Sequence, residues 1–290
     1  MLSLHTNNAA LSAQNSISRT QSSLSTSMTR LSTGYRINSA MDDAAGLQIA
    51  SRLKAQTSGM TVAMRNTQNS TSMLQTAEGA LDEVSNMLVR MKDLATQAAD
   101  ASSTKEDKTA MQAEYNALGQ ELANVLKNTT FGGKTLLGGA DDTGTLREGK
   151  LTFQIGASSS ETMEVDLSAA MSAVTVAVSA ATANYSQASV GASEVTGTNA
   201  NATIGKLETA LEKVGSLRSD LGAAANRLEH VYNNLSNIST NTKAATGQIM
   251  DVDFASESAN MTSNQMLLQA STAMLKQSNS MSSMVMSLLQ

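Results

Sequence analysis

The 290-residue chain has no proline, no cysteine and no tryptophan, its aromatic content is 2%, and only 16% of its residues are charged. Each absence excludes something. Without Cys there is no disulfide scaffold, no thiolate nucleophile and no Cys-ligated metal, although the redox compartment stays open. Without Pro, no ring removes a backbone donor or clashes with a preceding turn, so long uninterrupted helices are permitted and no X-Pro isomerisation slows folding. The net charge is −5 and the Lys and Arg residues are dispersed. No basic stripe interleaved with aromatics exists, which argues against a nucleic-acid partner. Met1 to Ser18 holds no Lys or Arg and no continuous apolar run, so it does not read as a cleavable secretory signal. The uncharged stretch Leu167 to Ser193 is mostly Ala, Ser and Thr, too weakly apolar for a membrane span, and no membrane partner is expected.

What the chain has in abundance is helical periodicity, with 18 Met residues supplying much of the apolar volume. Leu74, Ala77, Leu81, Val84, Leu88, Met91, Ala95 and Ala98 alternate three- and four-residue steps, which lays one apolar stripe along a helix. The phase extends backwards through Ala63, Met60, Leu53 and Ile49, and Ser39 with Asp42 forms a capping-box-like start. A helix from Ala44 to Ala98 would be about 80 Å long, against a radius of gyration near 19 Å for a compact globule of this length. Gly59 and Gly79 are candidate bends. A second helix starts at Ser103 or Thr104, with Glu106 and Asp107 as capping partners, carries Met111, Tyr115, Leu118, Leu122 and Val125, and ends near Asn128. A third carries Ile204, Leu207, Leu211, Val214, Leu221, Ala225, Leu228, Tyr232 and Leu235, with Arg218 interrupting its stripe. Between them Leu151, Phe153 and Ile155, then Met163, Val165 and Leu167, alternate with polar residues around Gly156 to Ser160, the pattern of a β-hairpin. Ser168 to Asn201 shows no firm period and reads as irregular with some strand. The expected fold is mainly α: an elongated rod of long helices in a coiled-coil-like bundle, with a small hairpin and with the two terminal helices paired.

Both chain ends are almost uncharged. Arg19 is the only charged side chain from Met1 to Thr29, and Lys276 the only one from Ser258 to Gln290. Ala10, Ile17, Leu24 and Leu31 are spaced seven apart; Met261, Leu268 and Leu275 form a second such series, and Leu267, Met274, Met281 and Leu288 a third beside it. An exposed helix normally carries charge on its outer face, so these Ser-, Thr-, Asn- and Gln-lined faces read as made to be covered, by each other and by neighbouring molecules.

Catalytic and metal chemistry find no support. His5 and His230, the only histidines, read as polar or interface residues, and Asp251-Val-Asp253 lacks the further ligands and Gly of a calcium loop, so its charges read as solvated. No cofactor is expected.

Several long motifs resemble the bacterial flagellins: Arg30-Leu-Ser-Thr-Gly-Tyr-Arg-Ile-Asn-Ser-Ala-Met-Asp-Asp-Ala-Ala-Gly46, Leu217-Arg-Ser-Asp-Leu-Gly-Ala-Ala-Ala-Asn-Arg227, Gln265-Met-Leu-Leu-Gln-Ala270 and the closing Val285-Met-Ser-Leu-Leu-Gln290. The resemblance implies an inner domain from residues 1–33 and 255–290, joining segments at 34–43 and 240–254, a helical rod domain from 44–167 and 204–239 containing the hairpin 151–167, and a short variable insertion at 168–203. It implies export in a largely unfolded state and polymerisation at the tip of a filament. The polymerising residues would be Leu4, Leu11, Ile17, Leu24, Leu31, Met261, Leu267, Leu268, Met274, Leu275, Met281 and Leu288. The rod core would hold Leu74, Leu81, Val84, Leu88, Met91, Leu118, Leu122, Leu207, Leu211, Val214, Leu221, Leu228 and Leu235. Its partners would be copies of itself, the flagellar export machinery with an export chaperone, and the filament cap and junction proteins.

Flagellins that stimulate the vertebrate Toll-like flagellin receptor commonly read Q-R-V-R-E-L-A-V, where this chain reads Val89-Arg90-Met91-Lys92-Asp93-Leu94-Ala95-Thr96. The resemblance implies receptor contacts at Arg90, Leu94 and Glu114, while Val89, Lys92 and Thr96 depart from the pattern; Arg90 and Leu94, four apart, share a helix face off the expected core stripe. Two alternatives are a hook-filament junction protein, which shares the terminal-helix design, and a signalling coiled-coil hairpin.

Overall fold

The computed structural model describes residues 7–139, 144–186, 193–196 and 199–288, so Leu4 and His5 lie outside the described residues. In chain order the elements are α1 (Asn8–Thr33), α2 (Ala44–Ala99), α3 (Lys105–Asn128), β1 (Thr130–Phe131), β2 (Lys134–Thr135), β3 (Lys150–Gln154), β4 (Thr162–Asp166), α4 (Ser168–Ala181), a 3-10 turn at Ala183–Ser186, α5 (Asn199–Met250) and α6 (Phe254–Leu288). The fold is mainly α with a small hairpin, as the periodicities predict. Two compact units divide the chain, one of Met1–Thr57 with Thr240–Gln290, the other Ser58–Ser239, and the divisions fall inside α2 and α5.

The second unit holds the main core. Leu74, Ala77, Leu81, Val84, Leu88, Met91, Ala95 and Ala98 of α2 are each at most 1% exposed. They cluster with Tyr115, Leu122 and Leu126 of α3 and Leu207, Val214, Leu221 and Leu228 of α5. Burying one such leucine contributes about 1.5–3 kcal/mol, so this shared face dominates the unit's stability. Leu118 and Leu211 are half-buried at the edge of the cluster. Farther back along α2, Met60 and Ala63 pack with Leu235 in a small separate cluster. Thr67, a polar residue on the stripe, is buried and donates its hydroxyl to the Ala63 carbonyl at 2.8 Å, which satisfies it within the helix.

The buried line of α5 runs through Leu207, Ala210, Val214, Leu217, Leu221, Ala224 and Leu228, so Arg218 lies beside it and interrupts nothing. Its guanidinium instead meets Asp82 of α2 at 2.9 Å. The start of α2 is capped by Asp43, whose carboxylate accepts from the Gly46 N–H at 2.8 Å; Asp42 closes the preceding turn by accepting from the Ser39 N–H at 2.8 Å. The first part of the segment expected to be irregular, Ser168–Ala181, forms α4, because Met171, Val174, Thr175, Val178 and Ala181 make a buried helical face while Val176 points outward at 69% exposure; residues 187–192 and 197–198 of that segment lie outside the described residues. Apolar residues on both sides of this helix hide its period. The Tyr115 hydroxyl donates to the Ala181 carbonyl at 2.7 Å and pins the end of α4 to α3. Burial, with the Glu194 carboxylate nearby, pushes that phenol well above its usual titration range.

Helix α2 runs unbroken through Gly59 and Gly79. Gly59 faces the turn of the hairpin: a Cβ there would lie 2.7 Å from that of Ala157, so a larger residue would force the turn away. Strands β3 and β4 pair antiparallel with Leu151 opposite Val165 and Phe153 opposite Met163. Strands β1 and β2 make a second, shorter hairpin around Gly132 and Gly133, whose positive φ values of 59° and 84° suit a two-residue turn. Helix α3 begins with a full capping box between Thr104 and Asp107. Helix α5 continues to Met250, so most of the segment expected to join the domains is helical and only Asp251–Asp253 separates α5 from α6. The absence of Pro leaves nothing in its sequence to stop it earlier.

Candidate assembly surface

In the first unit, α1 starts at Asn7, whose side chain accepts from the Ala10 N–H at 3.1 Å. It stops at Gly34, which adopts φ 77° and donates its N–H to the Arg30 carbonyl at 2.9 Å. Only a residue tolerant of the left-handed region closes a helix this way cheaply. The chain then runs beside the end of α5: Val252 donates to the Gly34 carbonyl at 3.0 Å, and the Arg36 side chain donates to the Ile249 carbonyl at 2.8 Å. Asp253 caps α6, accepting from the Ala255 N–H at 3.0 Å and the Ser256 hydroxyl at 2.8 Å. The Asp pair read as solvated charge thus includes a helix cap, and the Ser256 and Ala255 hydrogen bonds hold its carboxyl below the usual range.

Helices α1 and α6 pack antiparallel. Asn7 donates to the Ser278 carbonyl at 3.2 Å near one end, and Arg30 meets Glu257 at 3.7 Å near the other. Along the packed pair, Ala10, Ile17, Leu24 and Leu31 of α1 and Met261, Leu268 and Leu275 of α6 are all half-buried. The only residues of this pair described as buried are polar, Ser27 and Glu257. An apolar seam that is only half covered stabilises a helix pair weakly.

Among the described residues, the second seven-residue series of α6 is left exposed at Leu267, Met274 and Met281. Leu267 is 52% exposed, Met274 70% and Met281 54%. At 3.6 residues per turn these three fall within an arc of about 40°, roughly 100–140° around the helix from the Met261, Leu268 and Leu275 seam. Met266 lies on its flank, 61% exposed, and on α1 Leu11 is 50% exposed. Leu288 lies in α6 as well. The terminal helices therefore present one seam to each other and keep another bare.

In the other unit, Arg90 of α2 and Glu114 of α3 form an exposed ion pair, with Nη2 to Oε1 at 2.6 Å and Nε to Oε1 at 2.9 Å. Lys92 reaches Glu208 of α5 at 3.0 Å. Leu94, expected on the same surface, is 2% exposed and belongs to the core cluster. The buried face of α2 is wider than its eight-residue stripe, and Met87 and Leu94, seven apart, form a second row along its edge.

Residues 4–142 match the bacterial flagellin N-terminal helical region, and residues 204–289 match the bacterial flagellin C-terminal helical region. The chain belongs to the bacterial flagellin family. It is 40% identical over 265 residues to a flagellin of Halalkalibacterium halodurans, covering 91% of this chain and 90% of that one. With a Bacillus subtilis flagellin it shares 37% over 302 residues, covering 99% of each. A polar flagellin F of Vibrio parahaemolyticus is 32% identical across 381 aligned positions covering 99% of each chain, so that relative carries residues this chain lacks. As a flagellin, this chain is a structural subunit of the bacterial flagellar filament, an extracellular polymer of many copies of itself. The signalling-hairpin alternative falls with that match.

Proposed function

We propose that this flagellin joins the filament through the α1–α6 pair, and that neighbouring subunits complete a helix pairing that is weak in the monomer. The observation that carries the proposal is the bare seam of Leu267, Met274 and Met281, on a segment where Lys276 is the only charge from Ser258 to Gln290. A solvent-facing helix gains from charge, whereas a helix destined for a packed polymer is penalised by it. Replacing Leu267 or Met274 with Lys places a charge on the seam away from α1. Both variants should retain the parent's monomer melting curve and fail to elongate short filament seeds in electron micrographs; normal elongation by both would reject the seam. Amide exchange over residues 8–33 and 254–281 should be fast in monomers and slowed in filaments. Equal protection in the two states would separate ordering from assembly.

Export in an unfolded state by the flagellar export machinery with its chaperone, and contacts with cap and junction proteins, accord with a chain whose terminal helices gain little from each other alone. A chain without Cys or Pro refolds without disulfide or X-Pro steps, which suits delivery through a narrow channel. The junction-protein reading predicts no growth of the purified chain on seeds, so seeded growth separates it from the filament reading.

The Arg90–Glu114 pair supports a second role, recognition of the monomer by a Toll-like flagellin receptor. Its two side chains are 55% and 46% exposed and offer a fixed guanidinium beside a carboxylate. Buried Leu94 takes no direct part. Arg90→Ala and Glu114→Ala should each weaken monomer binding to the receptor ectodomain; unchanged affinity in both would remove the assignment.

A further inference from the structure

We propose that the exposed methionines of α6 are an oxidation switch: conversion of Met274 and Met281 to sulfoxides stops the subunit from entering a filament without unfolding it. The inference rests on the assembly reading above. With no Cys in the chain, the thioethers of its 18 Met residues are its only sulfur. They divide by burial. Among the described residues Met60, Met87, Met91, Met163 and Met171 are at most 6% exposed, whereas Met266, Met274 and Met281 of α6 are 61%, 70% and 54% exposed, and the other strongly exposed thioethers are Met28 of α1 at 57% and Met41, between α1 and α2, at 96%. A soluble oxidant therefore reaches the assembly face before it reaches the core, because thioether oxidation follows access.

The reaction needs only a peroxide. The sulfur lone pair attacks one peroxide oxygen, the O–O bond breaks and an S–O bond forms; the thioether is oxidised by two electrons and hydrogen peroxide leaves as water. A flexible apolar side chain becomes a polar one carrying a strong acceptor. Met274 and Met281 are seven apart on one line of α6, away from the seam that α1 covers, so the new oxygens leave the helix pair intact. They would lie where a neighbouring subunit must pack, and a buried acceptor without a donor opposes that packing. The change is reversible: in the monomer the sulfoxides stay open to methionine sulfoxide reductases, and in the filament the thioethers are covered.

The test uses the full-length chain. Monomer is treated with limiting hydrogen peroxide, oxidised positions are assigned by fragment-ion mass spectrometry, and elongation of untreated seeds is followed by electron microscopy. Met274 and Met281 should be oxidised before Met91 and Met171, the monomer melting curve should be unchanged, and elongation should slow by about tenfold or more. Reductases A and B with dithiothreitol should restore it, and the elongation of a Met274→Leu, Met281→Leu double variant, measured against that variant's own untreated rate, should not fall after the same dose. Sulfoxide at both positions with undiminished elongation would overturn the proposal, as would a double variant that loses elongation like the parent or earlier oxidation of Met91 and Met171. If untreated monomer fails to elongate seeds, the assembly reading itself has failed.

Discussion

At the scale of single residues, burial decides cost. Leu81 is 0% exposed at the centre of the α2 stripe, so Leu81→Ala should destabilise the monomer by about 2–5 kcal/mol in denaturant melts. The same truncation at Met274, 70% exposed, should change that stability by less than about 0.5 kcal/mol. Two glycines should respond with opposite signs. Gly34 sits at φ 77°, so Gly34→Ala should lose about 1 kcal/mol; Gly79 is mid-helix with nothing within 4 Å of a built Cβ, so Gly79→Ala should gain up to about 1 kcal/mol. Thermal melts of the two variants check both signs together. The α2 stripe from Leu74 to Ala98 was legible position by position because Leu, Val, Met and Ala there recur with nothing polar among them. Leu94 and Leu217 were not, since each lies just beside a line that other apolar residues also satisfied. Choosing between two adjacent apolar rows requires the partner helix, which a single helical segment does not contain.

At the scale of elements, helix starts carry the acid sensitivity. Thr104 holds the Asp107 carboxyl below its usual 3.8 by hydrogen bonds from its hydroxyl and its N–H, and Ser39 and Asn38 do the same for Asp42 through their N–H groups. A carboxyl whose folded value is depressed contributes stability that is present above the unfolded value and lost as pH falls through the folded one. Between about pH 5 and pH 2.5 the wild type should therefore lose more melting temperature than Asp107→Asn, which keeps an oxygen acceptor but cannot titrate there. Parallel losses, read by circular dichroism, would assign the acid sensitivity elsewhere. The long helices and the hairpin were legible because their periods differ, 3.6 against 2. Helix α4 escaped because Ala and Val lie on its outer face as well as its inner one, and a helix apolar on most sides shows no period. The cap at Asp253 escaped because a lone Asp before an apolar residue is equally good as turn, cap or solvated charge.

At the scale of the whole molecule, the assembly role proposed for the terminal helices predicts that the two units separate under deletion. Ser58–Ser239 holds the main apolar cluster, so a chain trimmed of residues 1–33 and 254–290 should still melt cooperatively. It should build no tubes on seeds. Tubes from the trimmed chain, seen by electron microscopy, would move assembly away from the terminal helices. The division of labour was half-legible in the sequence. The lack of charge at both ends marked them as surfaces to be covered, but which seam α1 takes and which stays bare depends on the Asn7–Ser278 and Arg30–Glu257 contacts that fix how the two helices align.

Those contacts have a consequence in time. Asn7 and Ser278 are 271 positions apart, close to the greatest separation the chain offers. A pairing between first and last segments closes the largest available loop, and a chain that appears one end first cannot form it until the other end has arrived. Whichever terminus leads, the Asn7–Ser278 end of the α1–α6 contact is among the last native pairings to become possible, after the Arg30–Glu257 end has had its chance to form.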